Sequence, residues 1–484
     1  MRPSLSQLTL FLGATLLTGC IDLAPAYRRP AAPTPAQFPT GPAYPAPPAA
    51  PQSIVGWRDF FSDPKLKVVI EEALANNRDL RVAVGNIVAA RAQFRVQRSA
   101  LFPTFTTDAR ATLAEEPITA VLGGGLFPFS GTFHEHIYSL TGGISAYQLD
   151  LFGRVRDLTR AAQEQYFATR EARDAAQITL VSQVTTDYLI LGSDRALLQI
   201  ARDTLKNGTE TLKVTTYLFE NGIDTELDVS QAQTIVDQAR FDVARLTTQV
   251  AQDRNALELL VGAPVGEDLL PAGIGDPVVV LERLPAAVSS SVLLARPDVL
   301  QAEDQLRAAN ANIGAARAAF FPDILLTGSG GVVSIALSSL FKGASLTWSA
   351  TPTISQTIFD AGANRGNLAF AKAQRDISVA NYEKAIQTAF REVADALALR
   401  GTIDEQLAAQ SALTAAWANS LRLSTLRYEA GSDTYLNVLI AQRSLYAARQ
   451  TLVASQLAKA NNLVTLYTAL GGGLNAPSAT QPGP

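Results

Sequence analysis

The sequence predicts a mainly helical chain with a membrane β portion, built by internal tandem duplication. Three observations carry this. The stretch Glu220 to Gln233 recurs 209 residues later as Glu429 to Gln442, with eight of the fourteen positions identical. A second matched pair, Asp79 to Pro103 and Asp298 to Pro322, stands 219 residues apart, so an insertion or deletion separates the two blocks. After each of these Phe-Pro endings, apolar and polar residues alternate over about ten positions, as in a strand with two unlike faces.

The chain begins with Arg2, an apolar run around Leu8 to Leu17, and Leu17-Thr18-Gly19-Cys20. A short secretory signal ending in a small residue before Cys resembles the bacterial lipobox. It predicts removal of residues 1–19 and a Cys20 that carries diacylglyceryl and N-acyl chains such as palmitate. The alternative is an ordinary signal peptide with a chance cysteine; Cys20 is the only cysteine in the chain. Position 21 is Ile rather than Asp, which fits outer-membrane sorting. Residues 20–56 are rich in Pro and Ala and predict an extended, polyproline-like tether with no packed core.

Trp57 to Pro64 opens the body. A first repeat is assigned to 57–262, an inter-repeat linker to 263–295, a second repeat to 296–471 and a flexible tail to 472–484. Asp79 to Ala100 and its copy from Pro297 to Phe320 read as Ala-rich helices stopped by Phe-Pro. Strands are expected at 104–114, 137–150, 323–333 and 345–358. Leu346, Trp348, Ala350, Pro352 and Ile354 alternate with Ser and Thr, the weak signature of a strand with lipid on one side and water on the other. A soluble hairpin with one solvated face is the alternative. Four strands cannot close a membrane barrel, and an open edge in lipid is forbidden, so the chain must oligomerise.

Asp150-Leu151-Phe152-Gly153 and Phe359-Asp360-Ala361-Gly362 open the long helices 153–220 and 361–429, each roughly 100 Å if unbroken. Helices 224–262 and 433–470 return. Apolar residues at 3 and 4 spacings, including Ile178, Val181, Val184, Tyr188 and Leu191, predict antiparallel coiled coils. Many Ala, Thr and Gln suit a thin wall better than a solid bundle. Between the long helices stand the repeated corners, each with a Gly to end one helix (Gly222, Gly431) and an Asp-Thr pair to cap the next.

A formal net charge of -4 without a basic cluster argues against nucleic acid as a partner. With one cysteine, neither a disulfide nor a redox pair can form within the chain. His134-Glu135-His136 holds both histidines, is placed in a Gly- and Phe-rich loop, and lacks a further ligand. Gly123-Gly124-Gly125 is not followed by Gly-Lys-Ser/Thr, so no phosphate cradle is implied. The chain reads as no enzyme.

Together, Cys20 after Leu-Thr-Gly, Trp57 to Pro64, Arg296-Pro297-Asp298-Val299, Asp150-Leu151-Phe152-Gly153, Tyr428-Glu429-Ala430-Gly431, Ala441-Gln442-Arg443 and Ala469-Leu470-Gly471-Gly472-Gly473 resemble the outer-membrane factor family, TolC-like, in its NodT-type lipoprotein efflux branch. The resemblance implies a homotrimer with one twelve-stranded β-barrel continuous with an α-helical periplasmic barrel. It also implies outer-membrane lipid around the strands, a periplasmic membrane-fusion adaptor and an inner-membrane RND transporter as partners. The function implied is the exit duct of a tripartite efflux system for drugs or toxic compounds. A type I protein secretion duct and a lipid-anchored coiled coil without a pore are the alternatives. The family's constriction maps to Leu436, Asn437 and Ile440. Asn437 and Ile440 replace Asp, so a mainly hydrophobic gate is expected, closed by dewetting. Gly222, Ile223, Gly431 and Ser432 are expected to meet the adaptor, with simple turn geometry as the alternative.

Overall fold

The computed structural model describes residues 21–45, 56–117, 132–274 and 289–473. Cys20 and Gly123 to Gly125 lie outside these. The described chain runs α1 (Trp57–Phe60), α2 (Pro64–Asn76), α3 (Arg78–Ser99), β1 (Phe105–Pro117), β2 (Thr132–Gln148), α4 (Arg154–Glu220), α5 (Glu226–Val261), α6 (Pro297–Ala318), β3 (Asp323–Ser334), β4 (Leu346–Ser355), α7 (Ala363–Glu429) and α8 (Tyr435–Ala469). Among the described residues, no helix is long and apolar enough to cross a membrane. The chain divides into two compact units.

The first unit holds all four strands. They form one antiparallel sheet in the order β1-β2-β3-β4, so β2 and β3 join the two repeats. Glycines sit where these strands meet: Gly142 faces Gly330, and a Cβ on Gly143 would fall 2.1 Å from the Gly328 carbonyl oxygen. A bulge between Ile144 and Tyr147 bends β2, with Ala146 at φ 51°. All ten residues of β4 are exposed, Leu346, Trp348 and Ile354 among them. Neither outer edge, of β1 or of β4, is paired among the described residues. His134 and His136 are not in a loop: β2 begins at Thr132 and pairs them with Glu115 and Leu113. The ladder with β1 simply runs on into the stretch whose Gly- and Phe-rich composition reads as a loop.

Residues 21–30 correct the expectation of a free tether. They are extended but docked. The Ile21 N–H donates to the Leu151 carbonyl at 3.1 Å, Asn310 donates to the Pro25 carbonyl at 2.7 Å, and Arg317 to the Leu23 carbonyl at 2.9 Å. Arg29 forms a two-pronged ion pair with the buried Glu303, at 3.0 and 2.6 Å. Proline supplies extended backbone without internal hydrogen bonds, and its free carbonyls then pair with side chains of α6. Under this strap lies Asp157, which is fully buried; a Cβ on Gly314 would sit 2.0 Å from its Oδ2.

The second unit is helical. Its main core gathers Phe60, Phe61, Ile70, Val184, Leu257 and Tyr467, with the Phe60 and Tyr467 rings stacked at 4.3 Å. The seam residues Ile178, Val181, Val184, Tyr188 and Leu191 are all buried, as their spacing predicts. Strap residues enter here also: Phe38 stacks on Phe390 at 5.0 Å. The Arg-Pro-Asp motif has a structural task. Arg296, 7% exposed, donates to the Ala469 carbonyl at the end of α8 and pairs with Asp298 at 2.8 Å and Glu392 at 2.9 Å. Gly471, Gly472 and Gly473 all have positive φ and follow directly on α8, so 472 and 473, assigned to the tail, continue this cap.

Candidate functional site

The two corners build the candidate site, and they close differently. After α4, Gly222 adopts φ 73°; its N–H bonds the Phe219 carbonyl and the Ile223 N–H reaches back to Leu218, a Schellman stop. Thr225 then caps α5 in a complete capping box with Asp228. After α7, Gly431 at φ 68° and Ser432 repeat the Schellman bonds to Tyr428 and Arg427. Thr434 makes no side-chain cap. Asp433 orders this corner without capping the helix, taking the Thr434 N–H at 2.8 Å, the Asn437 side-chain amide at 2.7 Å and an ion pair from Arg427 at 3.2 Å. The divergence at the fourth position after Asp, where Asp228 becomes Asn437, explains the switch: Asn donates where Asp accepts.

That network holds the Asp433 carboxyl below its usual range, the Asn437 hydrogen bond contributing most. A carboxylate is therefore present in the second corner, one turn before Asn437. Along α8, Tyr435, Val438 and Leu439 are buried against Ala232. Leu436, Asn437 and Ile440 occupy the opposite strip and are exposed, Leu436 and Ile440 each at 48%. Helical spacing alone produces this separation. Gly222, Ile223, Gly431 and Ser432 are likewise exposed, with Ile223 at 70%. A Cβ on Gly222 or Gly431 would meet nothing within 4 Å, so these glycines answer to backbone conformation, not to crowding.

Sequence reasoning missed the ties between the copies. The Tyr428 hydroxyl donates to Asp224 of the first corner. Tyr446 repeats this further along α8, donating to Asp242 at 2.9 Å. Arg443 donates to the Thr234 hydroxyl at 2.9 Å, and the two are matched positions of the repeat. Burial and the Asp224 contact push the Tyr428 hydroxyl up from its ordinary pKa, which keeps it a donor at neutral pH. The signal was present in the unlike members of matched pairs: Tyr428 stands against Phe219 and Tyr446 against Asp237. Among the described residues no cluster of His, Cys, Asp and Glu could hold a metal ion.

A protein-family model described as "Outer membrane efflux protein" matches residues 69–263 and 288–472. The solvent efflux pump outer membrane protein SrpC of Pseudomonas putida is 45% identical over 95% of this chain and 97% of its own. The cation efflux system protein CusC of Escherichia coli is 40% identical over 96% of this chain and 98% of its own. Among solved structures, the open state of the Neisseria gonorrhoeae MtrE outer membrane channel superposes with a TM-score of 0.83 at 37% identity, covering 94% of this chain and 98% of that one.

Proposed function

This chain belongs to the outer membrane efflux protein family and is an outer-membrane exit channel of an efflux system; we propose that it works as a homotrimer whose twelve strands close one barrel. The observation that carries the proposal is the four-stranded sheet, unpaired at β1 and β4 among the described residues and exposing Leu346, Trp348 and Ile354. Open edges in lipid cost several kcal/mol for each unsatisfied backbone group, so copies must pair edge to edge. Strands of 10 to 17 residues reach the length of about 9–11 needed to cross a bilayer.

In this proposal Cys20 carries the acyl chains that anchor the strap. Leu436 and Ile440 form an apolar constriction, with Asn437 beside them holding Asp433. Gly222, Ile223, Gly431 and Ser432 meet a periplasmic membrane-fusion adaptor, which couples the duct to an inner-membrane RND transporter. The cargo is small molecules such as drugs or toxic compounds; the relatives named for solvent and cation efflux support that class. The channel conducts passively, and transport energy comes from the partner.

Reconstitution of the purified protein in planar bilayers, beside unheated and heated gels, tests the trimeric duct. Stepwise conductance and a heat-sensitive trimer are expected. Absence of conductance together with a monomer on unheated gels overturns the proposal. A deletion strain screened against antibiotics, dyes, solvents and metal ions identifies the cargo.

A further inference from the structure

The repeats stay in register along α4 and α7, which both run 67 residues. At one matched pair the first copy has Gly208 and the second has Trp417, which is half-buried. Beside Gly208 a cavity of about 330 Å³ opens among α4, α5, α7 and α8. A Cβ built on Gly208 would lie 3.3 Å from Cγ2 of Ile235 and 3.6 Å from Cγ2 of Val236, so α5 packs closely on this glycine and a larger side chain there would crowd the cavity wall. The first repeat thus has no side chain where the second carries an indole.

The walls are chemically mixed. Ile235, Ala239, Leu421 and Leu445 give an apolar floor, and no Asp or Glu is among the wall residues. Two guanidinium groups face it without a carboxylate. Arg443 donates only to the neutral Thr234 hydroxyl, and Arg449 makes no ion pair among the described residues. The nearby Asp242 is already engaged by Tyr446 at 2.9 Å, Gln238 at 3.2 Å and Arg245 at 3.7 Å. Gln442 lines the cavity, and its buried Oε1 has no hydrogen-bond partner among the described residues.

Unneutralised cations above an apolar floor select an anion with an apolar body. The unmet amide oxygen calls for a hydrogen-bond donor on that body. The volume lies at the lower end of small-molecule sites, which span about 300–1,000 Å³. We propose that this cavity is a binding site for a small hydroxylated aromatic acid of one or two fused rings. Its carboxylate engages Arg443 and Arg449, and its rings lie on the apolar floor beside Gly208. Because α4 and α5 belong to the first repeat and α8 to the second, the occupant ties the two together. The site does not depend on the cargo or partners proposed above.

The test is equilibrium dialysis of 6-hydroxy-2-naphthoate against the full-length protein in nanodiscs, with empty nanodiscs as the blank. Saturable binding at one site per chain is expected. Gly208→Trp, copying the second repeat, should weaken it at least tenfold; Arg449→Gln should weaken it several-fold; the uncharged methyl ester should bind at least tenfold more weakly. No saturable binding, equal binding of the ester, or unchanged affinity in a correctly assembled Gly208→Trp protein overturns the proposal. If that variant fails to assemble, unchanged affinity in Arg449→Gln overturns it, and weakened affinity supports it.

Discussion

The Tyr428 hydroxyl donates its hydrogen to the Asp224 carboxylate, binding the second helical corner to the first across 204 residues of sequence. Both side chains are half-buried, so the bond is shielded from part of the solvent that would compete for it. Any motion that separates the two corners must break it. A hydrogen bond to a charged acceptor contributes about 1.5–3 kcal/mol, and roughly 1.4 kcal/mol is a tenfold change in population. Tyr428→Phe should therefore raise the population of the separated state about tenfold or more. In planar bilayers this appears as longer or more frequent openings. An unaltered conductance record would show that the bond between the corners does not hold the duct closed.

Leu436 and Ile440 share the exposed strip of α8, one turn apart. If they close the duct by excluding water, truncation of Leu436 matters more than removal of any charge there. Leu436→Ala should admit a large hydrophilic antibiotic that wild type excludes, measured as increased susceptibility of a strain carrying the variant without its partner pump. Asn437→Ala should leave that exclusion in place, since its amide serves Asp433. Equal leakage from Leu436→Ala and wild type removes Leu436 from the constriction.

The sequence made the architecture legible because two different periods are written twice. Alternation marks β4, 3 and 4 spacings mark the seam from Ile178 to Leu191, and glycine with Thr marks the first corner. What stayed hidden depends on atoms far apart in the chain. The Pro-rich strap docks because Asn310 and Arg317 meet its backbone and its own Arg29 meets Glu303, and no local pattern records such pairings. His134 and His136 were misplaced because composition suggested a loop where the ladder continues. The tie from Tyr428 to Asp224 required comparing the copies for their differences, whereas a search for repeats rewards identity.

Arg296 joins the start of α6 to the last carbonyls of α8 and to Glu392 on α7. Its partners Asp298 and Glu392 are more exposed than the guanidinium, so removing it leaves carboxylates that water can still reach. The loss then comes chiefly from the unmet Ala469 carbonyl and broken packing, about 1–3 kcal/mol for a buried acceptor. Arg296→Met should lower the thermal midpoint and reduce assembled protein on unheated gels. Arg296→Lys should recover only part of the loss, because an ammonium cannot reproduce the planar fork.

Asp157 gives the strap a dependence on pH. It is fully buried, Arg160 reaches only its Oδ1 at 3.2 Å, and Oδ2 has no hydrogen-bond partner among the described residues. Burial pushes its carboxyl up to about 6, with Asp22 on the strap adding to the rise. A carboxyl raised on folding binds its proton more tightly in the docked state. Its stabilising contribution is full below the ordinary value of 3.8 and is lost as pH rises through about 6. Limited proteolysis within 21–45 should accordingly be slower at pH 5 than at pH 7.5. Asp157→Asn should remove most of that difference, since the amide carries no charge at either pH. Gly314→Ala should speed cleavage at both, because the new methyl would meet Asp157 Oδ2 and the Ala24 Cα, the latter at 2.8 Å. Overpacking of this kind costs about 1–3 kcal/mol. Equal cleavage of wild type at the two pH values would show that docking of the strap is not linked to the Asp157 proton.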